Sequence, residues 1–219
     1  MDAVLFDLDG VLVDSRAAIG GTMNHALVAN GFPPRPAAEL HRFIGPPLAL
    51  GFAELTGRPV QSDAVAGCVA AYRERYAVTS LTETEVVAGI PEALDALRRS
   101  NHRLAVATSK ALALAEPLLA ALGLRGRFEV VVGPDVSARA EDKATTIGRA
   151  LAALRTQRAA MVGDRSFDIV GARAHGLAAV GVTWGIGSAD ELATADAVVD
   201  RPADIPDAIG RVRAASHCA

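Results

Sequence analysis

Ala3-Val4-Leu5-Phe6-Asp7-Leu8-Asp9-Gly10-Val11 decides the reading of this chain. Four consecutive apolar residues read as a short strand, and the lack of alternation implies that both of its faces are covered. The run stops at two carboxylates, Asp7 and Asp9, two residues apart. Strand periodicity points them to one side if extended geometry continues, and Gly10 lets the backbone turn sharply. Carboxylates this close repel unless a cation lies between them or they differ in protonation. The pair points to metal-assisted chemistry in which one carboxylate attacks and the other handles protons. A strand followed by a plain Asx turn is the bland alternative.

Working outward, similar apolar runs recur from Gly89 onward. Leu104–Ala107, Phe128–Val132, Ala159–Val162, Ala178–Val182 and Ala197–Val199 read as strands. Ala111–Leu122 (closed by Gly123), Lys143–Leu154, Ser166–Ala174 and Ile205–Val212 read as helices between and after them. This alternation predicts βαβ units and a parallel sheet. Residues 15–88 differ, with no comparable β-run. Ala17–Asn30, Leu48–Leu55 and Asp63–Tyr76 read as helices separated by Pro- and Gly-rich breaks. The expected class is α/β: a three-layer, Rossmann-like parallel-sheet core, residues 1–14 and 89–219, with an all-helical insert over 15–88 that could act as a lid.

Composition narrows the partners. The 219 residues are 51% hydrophobic but only 4% aromatic, so Val, Leu, Ile and Ala must build the core. Net charge is -3, with 22 basic against 25 acidic residues, and there is no basic stripe for nucleic acid. Leu104–Leu124 is the longest apolar stretch, but Lys110, Glu116 and Pro117 interrupt it, so no membrane span is expected. The start of the chain lacks the pattern of a secretory signal. Cys68 and Cys218 fit neither a metal spacing nor a disulfide framework. A cytoplasmic, monomeric protein acting on a small molecule is the expectation.

Open α/β sheets bind ligands beyond the carboxyl ends of their strands. Three runs end in polar residues: Asp7 and Asp9; Thr108-Ser109; and Gly163-Asp164, with Asp168 four residues on. Lys143 starts the helix between the second and third. If the strands are parallel neighbours, four carboxylates, one ammonium and a hydroxyl pair meet in one crevice. Carboxylate oxygens suit Mg²⁺, while the ammonium and hydroxyls suit phosphoryl oxygens.

With these residues in place, the chain resembles the haloacid dehalogenase superfamily of phosphohydrolases. Asp7-Leu8-Asp9-Gly10-Val11 matches the first family motif, Thr108 the second, Lys143 the third, and Gly163-Asp164 through Asp168 the fourth. The insert is similar to the family's C1 cap. Phe43-Ile44-Gly45-Pro46-Pro47-Leu48 and Gly163-Asp164-Arg165-Ser166-Phe167-Asp168 resemble the phosphoglycolate phosphatase-like branch. The resemblance implies that Asp7 attacks phosphorus and forms an aspartyl-phosphate. Asp9 then protonates the leaving oxygen and later deprotonates water. Mg²⁺ is held by Asp7, Asp164 and the backbone carbonyl of Asp9, with Asp168 orienting Lys143 or a metal-bound water. Thr108 and nearby backbone N–H groups hold the phosphoryl oxygens.

Each residue also has a plainer role. Thr108 or Ser109 could cap the helix that follows, Lys143 could be solvated, and Asp168 could lie on a helix face. Asp14-Ser15 reads as the cap of the next helix and Asp142 as the cap at Lys143. The five histidines read as structural or surface residues, and Trp184 as a packing residue rather than a cover for the site edge. Tyr72–Tyr76 reads as an amphipathic helix face. Arg42, just before Gly45-Pro46-Pro47, is the insert residue expected to meet substrate. A phosphatase for small phosphomonoesters is the leading reading, with a 5′-nucleotidase or pyrophosphatase of the same branch as the alternative. A β-phosphoglucomutase-type mutase needs a basic residue after the insert-loop glycine, where Pro46-Pro47 stand. A dehalogenase would lack Asp9. A non-enzymatic module would not keep every catalytic position.

Overall fold

The computed structural model describes residues 2–135 and 141–215. His217 and Cys218 lie outside the described residues. In chain order the strands are β1 (Ala3–Phe6), β2 (Val13–Asp14), β3 (Glu85–Val86), β4 (Arg103–Ala107), β5 (Val130–Val132), β6 (Ala159–Gly163), β7 (Ala178–Val182) and β8 (Ala197–Val199). The helices are α1 (Arg16–Ala29), α2 (Ala37–His41), α3 (Leu48–Thr56), α4 (Asp63–Thr82), α5 (Ile90–Arg99), α6 (Leu112–Ala121), α7 (Lys143–Leu154), α8 (Ser166–Arg173), α9 (Ala189–Leu192) and α10 (Ile205–Ala215).

The chain divides into two compact units, Met1–Asp14 with Val86–Ala219, and Ser15–Glu85. The return crossing thus falls before Val86 rather than before Gly89, because Glu85–Val86 forms a strand beside Val13–Asp14. Two residues are too few to leave a period-2 signal, so the sequence did not reveal this pair.

The larger unit is a six-stranded sheet in the order β5-β4-β1-β6-β7-β8, with every neighbouring pair parallel. β1 is central, and all four of its residues are buried. Its alternating sides explain the unbroken apolar run. Val4 and Phe6 join a cluster with Leu94, Leu97, Leu118 and Ile209, carried by α5, α6 and α10. Ala3 and Leu5 join a second cluster with Ile147, Leu151, Leu154 and Ile169, carried by α7 and α8. Helices therefore cover both faces, and the three-layer expectation holds. Trp184 packs against the first cluster and donates its indole N–H to the Val11 carbonyl at 3.2 Å.

The register sets up the site. Phe6 lies opposite both Val106 of β4 and Val162 of β6. The residues that follow, Asp7, Ala107-Thr108 and Gly163-Asp164, therefore leave three adjacent strands at one level.

The smaller unit is helical among its described elements, apart from the end of β3. Thr22 of α1 and Thr79 of α4 are buried and share a 2.7 Å hydroxyl hydrogen bond. Phe52, Tyr72 and Tyr76 pack ring against ring. Tyr72 and Tyr76 are buried while Arg73, Glu74 and Arg75 are exposed, an amphipathic face. The helix read as ending at Tyr76 runs on to Thr82. Its β-branched tail is a poor helix former alone, but Thr79 bonds back to the Arg75 carbonyl and across to Thr22. Ser15 stands at the N-cap position of α1, yet its hydroxyl makes no cap bond, which corrects the capping expectation.

Candidate active site

Lys143 is the hub. Its ammonium lies 2.9 Å from Asp7 Oδ1 and 2.8 Å from Asp168 Oδ1, and it donates to the Ala107 carbonyl at 3.1 Å. Three partners use all three N–H donors of an ammonium. The helix that carries Lys143 begins where it does because Asp142 accepts the Thr145 N–H at 2.7 Å, a side-chain N-cap as expected. A cation at a helix N-terminus opposes the helix dipole, and the two carboxylates offset that cost.

Asp7 follows β1 directly. Its Oδ1 also accepts the Leu8 N–H at 2.8 Å, which fixes the plane of the carboxylate. Asp164 follows β6 and is fully buried. Its Oδ2 accepts the Ile186 N–H at 2.7 Å, while Oδ1 is buried with no hydrogen-bond partner among the described residues. Gly10 is required here: its φ is +81°, and a Cβ would fall on the Asp164 carboxylate. Asp168 is the third residue of α8, and its Oδ2 accepts the Arg165 N–H at 3.1 Å. Glu191 Oε2 holds the start of that helix, accepting from Arg165 Nε at 2.9 Å and from Ser166 N and Oγ at 3.2 and 3.1 Å.

Asp7, Asp164 and Asp168 each offer an oxygen within 4.8 Å of the others. Burial pushes the Asp7 carboxyl up to about 6, with Asp168 adding and Lys143 opposing. Burial, then Asp7 and Asp168, pushes Asp164 up to about 7. Burial disfavours the charge on Lys143, but Asp168 and Asp7 outweigh it and raise its pKa above the ordinary value.

The second strand end brings Thr108, buried, and Ser109, whose side chain is exposed. Thr108 donates its backbone N–H to Val132, and its Oγ1 accepts the Lys110 N–H at 3.1 Å. Those two backbone donors are committed inside the protein and so drop out of the expected phosphoryl contacts. Sequence reasoning missed Lys110. Its ammonium lies 3.0 Å from Asp9 Oδ2, and its side chain is 5% exposed. The only available signal was an ammonium two residues past a strand-terminal hydroxyl.

Four carboxylates, Asp7, Asp9, Asp164 and Asp168, thus face two ammoniums, Lys143 and Lys110, and the imbalance favours a divalent cation. Arg42 belongs to the other unit, where it is exposed and pairs with Glu54 at 2.6 Å. No group of three metal-capable side chains other than Asp7, Asp164 and Asp168 occurs among the described residues.

The comparisons agree with this geometry. The chain matches the model of the haloacid dehalogenase-like hydrolase family over residues 4–182. It is 37% identical over 191 residues to a 5′-nucleotidase from Pseudomonas aeruginosa, covering 86% of each chain. It is 31% identical over 212 residues to a phosphoglycolate phosphatase from Caulobacter vibrioides, covering 94% of this chain and 89% of that one. A solved haloacid dehalogenase-like hydrolase from Streptococcus pneumoniae matches with a TM-score of 0.86 at 29% identity, over 95% of this chain and 98% of that one. The chain belongs to the haloacid dehalogenase-like hydrolase family.

Proposed function

We propose that this phosphomonoester hydrolase is Mg²⁺-dependent and cleaves a small phosphomonoester through an aspartyl-phosphate on Asp7, in the manner of a phosphoglycolate phosphatase. The observation that carries the reading is Lys143 bridging Asp7 and Asp168 beside the orphaned Asp164 oxygen, with Asp9 two residues from Asp7. The donor set fits the ion: hard carboxylate oxygens, one of them buried without a partner, and two carboxyls lifted by burial and mutual repulsion. Asp7 and Asp164, with the Asp9 carbonyl, would hold Mg²⁺, which when bound supplies neutralisation of the phosphoryl charge. Asp168 orients Lys143.

The residues then divide the work. The Thr108 hydroxyl donates to a phosphoryl oxygen, and Ser109 stands beside it. An Asp7 oxygen attacks phosphorus as the ester P–O bond breaks, and Asp9 gives its proton to the departing oxygen. Asp9 next takes a proton from water, whose oxygen bonds to phosphorus and frees the Asp7 carboxylate with inorganic phosphate. Lys143 offsets the anionic charge throughout. Phosphoryl transfer needs mainly this positioning and neutralisation. Arg42 is the guanidinium the helical unit would offer to substrate, with Glu54 as its resting partner. The 5′-nucleotidase relative makes nucleoside monophosphates the second substrate class to weigh.

We further propose that the protein acts as a cytoplasmic monomer.

The test is phosphate release with Mg²⁺ from 2-phosphoglycolate, 5′-nucleotides, sugar phosphates and pyrophosphate. One strongly preferred ester, with activity abolished by EDTA, is the expected result. No release from any class would overturn the reading.

Metal and pH should also be linked in stability. Asp7 and Asp164 move up from 3.8 on folding, to about 6 and about 7, so without metal the folded state binds more protons than the unfolded state between those limits. Their contribution to stability therefore falls as pH rises through that window. Metal on these carboxylates removes the penalty only where they are ionised. Mg²⁺ should raise the melting temperature more at about pH 8 than at about pH 5. Equal shifts in melts at both pH values would count against Asp7 and Asp164 as ligands.

A further inference from the structure

Lys110 has no part in the chemistry set out above, yet it is one of the most expensively placed side chains in the α/β unit. Burying an ammonium requires a partner, and ordering a lysine sacrifices the rotamer freedom of a four-carbon stem. The turn that carries it is built to hold it. The Lys110 N–H is donated to Thr108 Oγ1, and the Leu112 N–H goes to the Pro134 carbonyl at 2.9 Å. Gly133 lies so close that a Cβ there would fall on the Lys110 carbonyl. The backbone from Thr108 to Leu112 is therefore clamped to the end of β5. From that fixed point the side chain reaches the first strand's carboxylate, with Nζ 3.0 Å from Asp9 Oδ2. The other Asp9 oxygen, Oδ1, is buried and has no hydrogen-bond partner among the described residues.

We infer that Lys110 is the positioning residue for Asp9: it grips one carboxylate oxygen so that the other is held, unbonded, for proton transfer to and from the reacting oxygens. This rests on the phosphatase reading and extends it. An aspartate on a turn after a strand can rotate about two side-chain bonds. A clamp on Oδ2 removes that freedom, and acid–base catalysis is efficient only when the proton's path is already short. Because Thr108 accepts the Lys110 N–H, one turn holds both the hydroxyl aimed at the phosphoryl group and the ammonium that sets the acid. The two are aligned to each other before substrate arrives.

A residue acting through Asp9 leaves a signature that a general stabilising charge does not. The acid is needed when the leaving oxygen is a basic alkoxide, and hardly needed when it is a nitrophenolate. The experiment compares kcat/KM, which reports the ester-cleaving step, for 2-phosphoglycolate and p-nitrophenyl phosphate with Mg²⁺. The variants are Lys110→Met, Lys110→Arg, and Lys110→Met in an Asp9→Asn background, with each fold checked by its melting curve. Lys110→Met should lose about 10²-fold on the alkyl ester and under about tenfold on the aryl ester. Lys110→Arg should recover part of the loss. In the Asp9→Asn background the Met substitution should cost less than about threefold, because residues acting as a unit are not additive. Equal losses on both esters, full additivity with Asp9→Asn, or unchanged activity in Lys110→Met would each overturn the inference. If Lys110→Met does not fold, the same ester comparison on Lys110→Arg decides, since a displaced charge must still discriminate between the two leaving groups. A wild-type protein that releases phosphate from neither of these esters nor any of the classes named above overturns the phosphatase reading and this inference with it, an outcome distinct from an active wild type matched by Lys110→Met.

Discussion

Asp7→Asn should abolish phosphate release, by at least about 10⁴-fold in kcat, while leaving the protein as stable as before or more so. The loss follows from removing the proposed nucleophile, a deletion of the kind that eliminates most of an enzyme's advantage over water. The stability result follows from electrostatics. Asparagine has the same shape, and its oxygen can still accept from Leu8 N–H and Lys143. The substitution also removes a buried anion that, after burial itself, is the strongest influence holding the Asp164 carboxyl up near 7. In the absence of metal, relieving that repulsion offsets the weaker contact with Lys143. Rapid-quench trapping should find phosphate bound to the wild-type chain during turnover and none on Asp7→Asn. Residual activity above about 1% would remove Asp7 from the nucleophile's role.

Lys143→Met carries the second large effect, and here chemistry and folding should fail together. The wild-type ammonium is the shared partner of Asp7 and Asp168, whose side chains are 13% and 1% exposed. Methionine fills the space but leaves two carboxylates buried without a cation. Breaking a buried pair from one side costs about 3–5 kcal/mol. Deprived of Lys143, which opposes the rise of its pKa, Asp7 should take up a proton more readily in the folded state, which makes the penalty pH-dependent. The destabilisation should be largest near about pH 8 and shrink toward about pH 4, below the folded wild-type Asp7 pKa of about 6, where that carboxyl is protonated with or without Lys143. A protonated Asp7 cannot attack, so activity at neutral pH should fall by about 10²–10³-fold or more. Melting curves across that range, with kcat at one pH, check both parts. A pH-independent stability loss would mean that packing, and not charge, is what Lys143 contributes.

What the sequence made legible and what it hid have different physical origins. β1 was readable because both its faces are buried, so a four-residue strand carries four apolar residues. Asp7, Asp164 and Lys143 were readable because each sits where charge is out of place: at the end of an apolar run, or as a cation at a helix start. Lys110 was not, because nothing in Thr108-Ser109-Lys110 states that the turn folds back toward β1. That depends on the clamp at Gly133 and Pro134, more than twenty residues away. The narrowing of phosphoryl donors was hidden for the same reason, since a backbone N–H declares its partner only in three dimensions. Helix α4 outran its expected end because hydroxyls that disfavour a helix in isolation found partners in α1.

The small strand pair β2–β3 bears on how such a protein can change over time. The chain departs at Asp14 and resumes at Val86, and the two points lie side by side, with the Val87 N–H bonded to the Leu12 carbonyl at 3.1 Å. A segment whose ends are already together imposes little loop-closure entropy whatever its length. The sheet and its catalytic residues are thus indifferent to how many residues intervene, so the intervening module can be lengthened, traded or rebuilt by recombination while the hydrolytic machinery stays fixed.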